Sequence, residues 1–158
     1  MSIKFYSDLV SPFVQTKVFF HNEKLRQLQS EKIVVPVTCE IDLTDGFCNN
    51  KCKHCFFGTD QKSNPVLIDT KVVKNLIREL REIGTKAIEF SGGGEPTTHP
   101  DVCEILEYSV KLGLNIGLIT NGLLLDEIKD ITRYLKFIRI SLDAASEQIY
   151  NKVHGVNY

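Results

Sequence analysis

The segment Cys48-Asn49-Asn50-Lys51-Cys52-Lys53-His54-Cys55 sets three cysteines at C-x3-C-x2-C spacing. Thiolates are the ligands that iron–sulfur clusters and zinc prefer. A structural zinc site wants four ligands and usually draws its cysteines in C-x2-C pairs. Three clustered thiolates with uneven spacing suit three irons of a 4Fe–4S cube and leave the fourth iron open. An open iron can bind a small molecule, so the pattern points to reactivity more than to electron storage.

A second motif, Gly92-Gly93-Gly94-Glu95-Pro96, follows further along the chain. Glycines lack a Cβ, so their backbone groups can approach a ligand closely, and Glu95 adds a fixed negative charge. A glycine-rich phosphate loop would want a lysine or a helix N-terminus directly after it. Glu-Pro stands there instead, which disfavours an anion. A tight strand-to-loop turn is the plainer reading of the same residues.

Together the two motifs resemble the radical S-adenosylmethionine (radical SAM) superfamily, and the similarity runs over residues 37–143. In that superfamily the open iron is chelated by the amino and carboxylate groups of S-adenosyl-L-methionine. Reductive cleavage then yields a 5′-deoxyadenosyl radical that takes hydrogen from a substrate. The resemblance implies an enzyme with a 4Fe–4S cluster held by Cys48, Cys52 and Cys55. It implies that Gly92, Gly93, Gly94, Glu95 and Pro96 meet the methionyl ammonium. It also brings Asn121, Ser141 and Asp143 near the cofactor, with Ser141 toward the ribose and the methionyl carboxylate. The implied partners are an external one-electron reductant, of flavodoxin or ferredoxin type, and a small-molecule or peptide substrate. Relatives with this glycine motif include peptide maturases and cofactor-biosynthesis cyclases. One departure is His54, where the family most often has Phe, Tyr or Trp.

Some readings stay open. Phe56 and Phe57 either shield the cluster and fill core, or flank an adenine. Asn121 is equally a turn former, because Asn-Gly is a turn signal. The alternative for the whole chain is a non-catalytic iron–sulfur or zinc-binding α/β domain, such as an electron carrier. It would need a fourth protein ligand from Cys39, Cys103 or His54. Cys39 and Cys103 read more simply as small buried apolar groups, and His99 as a loop or cap residue.

The elements that must position these residues follow from periodicity. Residues 37–44 alternate, with Val37, Cys39, Ile41 and Leu43 on one face and Thr38, Glu40, Asp42 and Thr44 on the other. Further strands are expected at 86–91, 114–120 and 137–143. In the last, Arg139, Ser141 and Asp143 share a face. Polar inner faces suggest a working lumen, in which Glu40, Asp42, Glu89 and Arg139 orient a ligand or pair as ions. Between the strands lie helical patterns. One is capped by Asp69, buries Val72, Val73, Leu76, Ile77, Leu80 and Ile83, and stops at Gly84. Another opens at Pro100 and ends at Gly113; a third carries Leu125, Ile128, Ile131 and Leu135. Ser146 starts a fourth.

Alternation of this kind predicts an α/β fold with a parallel sheet and right-handed crossovers. Four β/α units make a partial (β/α) barrel of the radical SAM type, whose core usually has six strands. The expected organisation is an N-terminal extension over 1–35, with a helix started by Ser11-Pro12, and a partial core over 36–158. That core is expected to be the N-terminal part of a longer one.

Composition narrows the class. With 158 residues, 42% hydrophobic and 25% charged, the chain can bury a real core. Its net charge of −1 gives no electrostatic case for nucleic acid. No apolar stretch approaches membrane-spanning length. Five cysteines, three of them clustered, argue against a disulfide framework and for a reducing compartment, here taken as the cytoplasm.

Overall fold

The computed structural model describes residues 13, 21–30, 33–57 and 65–156. In chain order the elements are α1 (Asn22–Gln29), β1 (Thr38–Asp45), β2 (Val66–Leu67), α2 (Thr70–Glu82), β3 (Ala87–Gly93), α3 (Val102–Lys111), β4 (Asn115–Thr120), α4 (Lys129–Thr132), β5 (Phe137–Ile140) and α5 (Glu147–His154). Short 3-10 turns, Pro96–Thr98 and Leu125–Ile128, precede α3 and α4.

The sheet runs β2-β1-β3-β4-β5. β1, β3, β4 and β5 are mutually parallel, as the alternation predicts; β2 is antiparallel to β1. Two residues carry no periodicity, and β2 exists only because Thr44 pairs with Leu67 and Asp45 with Val66.

Among the described residues, the helices that pack on the sheet cover one face. Ile41, Leu43, Ile88, Phe90, Ile116 and Leu118 form a single core with Val73 and Ile77 of α2, Val102, Ile105 and Leu106 of α3, and Ile128 and Ile131. Each such buried side chain stabilises by about 1.5–3 kcal/mol relative to exposure. With α2, α3 and α4 on that face, the described arrangement is the mixed α/β fold with a mostly parallel sheet that the alternation predicts.

Local chemistry explains the helix starts. Asp69 caps α2 by accepting from the Lys71 and Val72 N–H groups, at 2.9 and 3.1 Å. Ser146 accepts from Ile149 N–H and opens α5, and Gly155 at φ +64° closes it. The apolar stripe of α2 is narrower than its pattern suggested. Val73 and Ile77 are buried, whereas Val72, Leu76 and Ile83 are exposed. The sheet contacts only the line of Val73 and Ile77 on the helix, so the flanking apolar positions stay outside.

Other boundaries also shift. β5 ends at Ile140, so Ser141 and Asp143 lie just beyond the strand. Ile140, at its end, and Leu142, beyond it, are exposed. The proposed helix start at Ser11-Pro12 lies outside the described residues. The described α1 buries none of its residues.

Phe90 is fully buried between sheet and helices. Phe90→Ala is expected to lower the unfolding free energy by about 3–5 kcal/mol in urea denaturation. Leu142→Ala, at a side chain 69% exposed, should stay within about 0.5 kcal/mol of the parent.

Candidate functional site

The C-terminal ends of β1, β3, β4 and the segment after β5 meet at one cleft of about 240 Å³. Its wall includes Cys48, Cys52 and Cys55 from the loop after β1, and Gly92, Gly94 and Glu95 from the end of β3. Thr120 and Asn121 come from the end of β4; Ser141 and Asp143 come from the segment after β5. A smaller adjoining cavity of about 50 Å³ is again shared by the three cysteines, with Gly93 and Phe57 in its wall. Parallel strands bring residues far apart in sequence to one rim, which is where α/β folds carry their sites.

The cysteine loop is shaped by a bulge. β1 pairs Asp42 with Ser91 and then Asp45 with Gly93, so β1 carries one extra residue. Leu43 and Thr44 are consequently both buried, and the chain turns off the sheet at Gly46. The glycine motif is stitched to this turn. Gly46 N–H donates to Gly93 O at 2.7 Å, and Glu95 N–H donates to Phe47 O at 2.9 Å. A Cβ on Gly94 would lie 2.1 Å from Phe47 O, and one on Gly92 would lie 2.7 Å from an Asp42 carboxylate oxygen. Gly92 and Gly94 are therefore required by the chain's own packing.

Glu95 is 3% exposed. Its Oε1 accepts from the Thr97 N–H and hydroxyl and from the Thr120 hydroxyl; its Oε2 accepts from Asn121 N–H at 2.7 Å. The carboxylate thus caps the 3-10 turn and ties β3 to β4 while bordering the cleft. Pro96 opens that turn and is buried.

Asn121 forms the turn expected of Asn-Gly and also reaches the cysteine loop. Its Oδ1 accepts from Leu123 N–H, a turn-forming bond, and its Nδ2 donates to Asn49 Oδ1 at 2.6 Å inside the cysteine loop. His99 is a structural group, as its position before Pro100 suggested. Its ring nitrogens meet Ile68 O at 2.9 Å and Asp101 N–H at 3.1 Å.

The thiols are half-buried and free. Burial, then the charges of Cys48 and Cys55, push the Cys52 thiol up to about 11. Burial also raises Cys48, against a bond from Asn50 N–H. Neutral thiols in such a pocket gain most from a bound cation, which removes their protons and offsets the desolvation. Among the described residues, no three His, Cys, Asp or Glu side chains converge as a mononuclear ion requires. The three sulfurs instead surround a shared cavity. This fits a metal cluster better than a single zinc ion. Cys39 and Cys103 do not border the cleft; Cys103 packs against the core instead.

Two aromatic expectations separate. Phe57 lines the smaller cavity, while Phe56 is 94% exposed and only edges Phe57. On the open face of the sheet, Glu40 and Glu89 are in register with each other. Burial raises the Asp42 carboxyl, with Glu40 adding to it and Gly93 N–H opposing. Further from the cleft, the Phe137 ring covers Gly117 and meets Phe13 edge-on at 4.7 Å.

The sequence reading missed His154. It is 1% exposed, its Nδ1 lies 2.9 Å from Cys52 Sγ, and its Nε2 lies 3.8 Å from the Asp143 carboxylate. His54 reaches the same carboxylate at 3.5 Å. The available signal was the short helix bracketed by Ser146 and Gly155, whose last residue is this histidine.

The family model of the radical SAM superfamily matches residues 44–158. The AdoMet-dependent heme synthase of Methanosarcina barkeri is 38% identical over 119 residues, which cover 73% of this chain and 33% of that protein. The PqqA peptide cyclase of Bradyrhizobium diazoefficiens is 30% identical over 138 residues, covering 80% of this chain and 33% of that one. The crystal structure of Streptococcus suis SuiB bound to S-adenosylmethionine superposes with a TM-score of 0.67 at 21% identity, over 86% of this chain and 32% of that one. The chain spans about a third of the length of these curated relatives. With the family match running from the end of β1 through α5, the chain belongs to the radical SAM superfamily.

Proposed function

We propose that Cys48, Cys52 and Cys55 each ligate one iron of a 4Fe–4S cluster and that S-adenosyl-L-methionine occupies the adjoining cleft. The observation that carries this reading is the convergence of three thiols on a cavity walled by the β3 glycines. When bound, the cluster and S-adenosyl-L-methionine supply one-electron cleavage of a sulfonium and hydrogen abstraction from a substrate.

The chain's own residues bind, orient and exclude. Asn49 and Asn121 hold the cysteine loop to the end of β4. Gly92 and Gly94 present backbone without side chains to the cleft. Glu95 fixes that backbone, and its charge favours a cationic ligand group nearby. Ser141 and Asp143 face the same space and offer a hydroxyl and a carboxylate to a ribose or methionyl group. Asn121 contributes through the loop it positions, and Pro96 through the turn it opens.

We assign the enzyme an external one-electron donor of flavodoxin or ferredoxin type. Its class of reaction is peptide maturation or cofactor biosynthesis, the classes named among its relatives. We assign it to a reducing cytoplasm, a reading supported by the need to keep its thiols available for iron. Residues 36–158 form the core of this reading and 1–35 an extension to it.

Anaerobic reconstitution with iron and sulfide tests the ligand set. Cys52→Ala is expected to lose most bound iron and sulfide, while Cys103→Ala retains both. Wild-type iron and sulfide in Cys52→Ala would contradict the assignment. A second substitution tests the seam between the motifs. Gly94→Val is expected to lower cluster content sharply, because its Cβ has no room against Phe47. Gly113→Ala, where a Cβ meets open space at φ +75°, should cost about 1 kcal/mol of stability with cluster content unchanged.

A further inference from the structure

α5 ends against the cysteine loop, and its last turn grips the loop from both sides of Cys52. Lys51 N–H donates to His154 O at 2.8 Å, and Lys53 N–H donates to Val153 O at 3.1 Å. Asn50 Nδ2 donates to the Tyr150 hydroxyl at 3.3 Å. A Cβ on Gly155 would lie 2.5 Å from Lys51 O, so the helix end and the loop are in direct contact. Between these backbone grips the His154 ring lies buried against Tyr150, with centroids 4.1 Å apart and planes at 31°. Its Nδ1 is 2.9 Å from Cys52 Sγ.

A thiol could donate to that nitrogen; a thiolate that has lost its proton to metal binding cannot. A contact this short then survives only as Nδ1–H donating to sulfur. Hydrogen bonds to the ligand sulfurs are among the main determinants of an iron–sulfur reduction potential. The reason is electrostatic. Reduction adds one negative charge shared over irons and sulfurs, and a fixed donor stabilises the charged state more than its oxidised partner.

We infer that His154 is a positioning residue for the cluster: its Nδ1–H donates to the Cys52 thiolate, orients that ligand and raises the cluster's reduction potential. This rests on Cys52 being a cluster ligand, as proposed above. The electron comes from an external reductant, and neither a proton nor a bond to His154 changes when the cluster accepts it. The backbone grips hold the loop whatever side chain stands at 154, so the effect belongs to the imidazole.

The test is a reductive titration of the reconstituted full chain with dithionite, followed by the electron paramagnetic resonance signal of the reduced cluster. His154→Phe keeps a ring against Tyr150 and removes the donor. His154→Asn replaces Nδ1 with an amide nitrogen at the same reach. At a fixed poise the ratio of reduced to oxidised cluster is expected to fall about tenfold in His154→Phe, equivalent to about 59 mV for one electron. His154→Asn is expected to recover most of that shift. Equal potentials for the parent and His154→Phe, with iron content equal, would overturn the inference. So would loss of the cluster from both variants, because the three thiols and the backbone grips should suffice to hold it. A parent chain that assembles no cluster would instead overturn the ligand assignment.

Discussion

A methyl group at residue 94 would sit 2.1 Å from the Phe47 carbonyl oxygen. That closeness is the constraint on which the site depends. It lets the end of β3 run alongside the turn leaving β1, with Gly46 and Glu95 N–H groups crossing the seam. The cysteine loop thereby starts from a fixed point against the sheet. Glu95 extends the bracing one strand further, because its carboxylate binds donors from both the 3-10 turn and the end of β4. A buried carboxylate left without those donors would be strongly destabilising, so the four bonds form as a set.

The one-sided placement of α2, α3 and α4 completes the arrangement. Packing all three on one face leaves the other for Glu40, Asp42, Glu89 and the cleft residues. The last helix adds what the strands do not. α5 returns to the start of the fold and closes on the cysteine loop, so residues a hundred positions apart share one contact.

Much of this was legible in the residues. The three cysteines and the glycine motif are chemically specialised, and strand ends are where such residues can meet. The β–α alternation gave the parallel order, because period-2 and period-3.6 patterns are local properties. Asp69 was readable as a cap from its side chain and place. What escaped was set by tertiary contact. β2 is too short to carry a pattern. The bulge in β1 shows itself only when Thr44 joins Leu43 in the interior. Val72, Leu76 and Ile83 belonged to the apolar stripe of α2 but lie beyond the sheet's reach. His154 escaped because its partners, Cys52 and Asp143, come from elements that only the fold brings together. The glycines were read as making room for a ligand; the structure adds that Asp42 and Phe47 need that room too.

The central claim is that three thiols hold a cluster with one iron open to the cleft. Electron paramagnetic resonance on anaerobically reconstituted, reduced chain, with and without S-adenosyl-L-methionine, addresses it directly. The account predicts a 4Fe–4S signal whose g-values change when S-adenosyl-L-methionine is added, because the ligand binds the open iron. A 4Fe–4S signal indifferent to saturating S-adenosyl-L-methionine would contradict it and point to a cluster whose fourth iron is closed to the cleft.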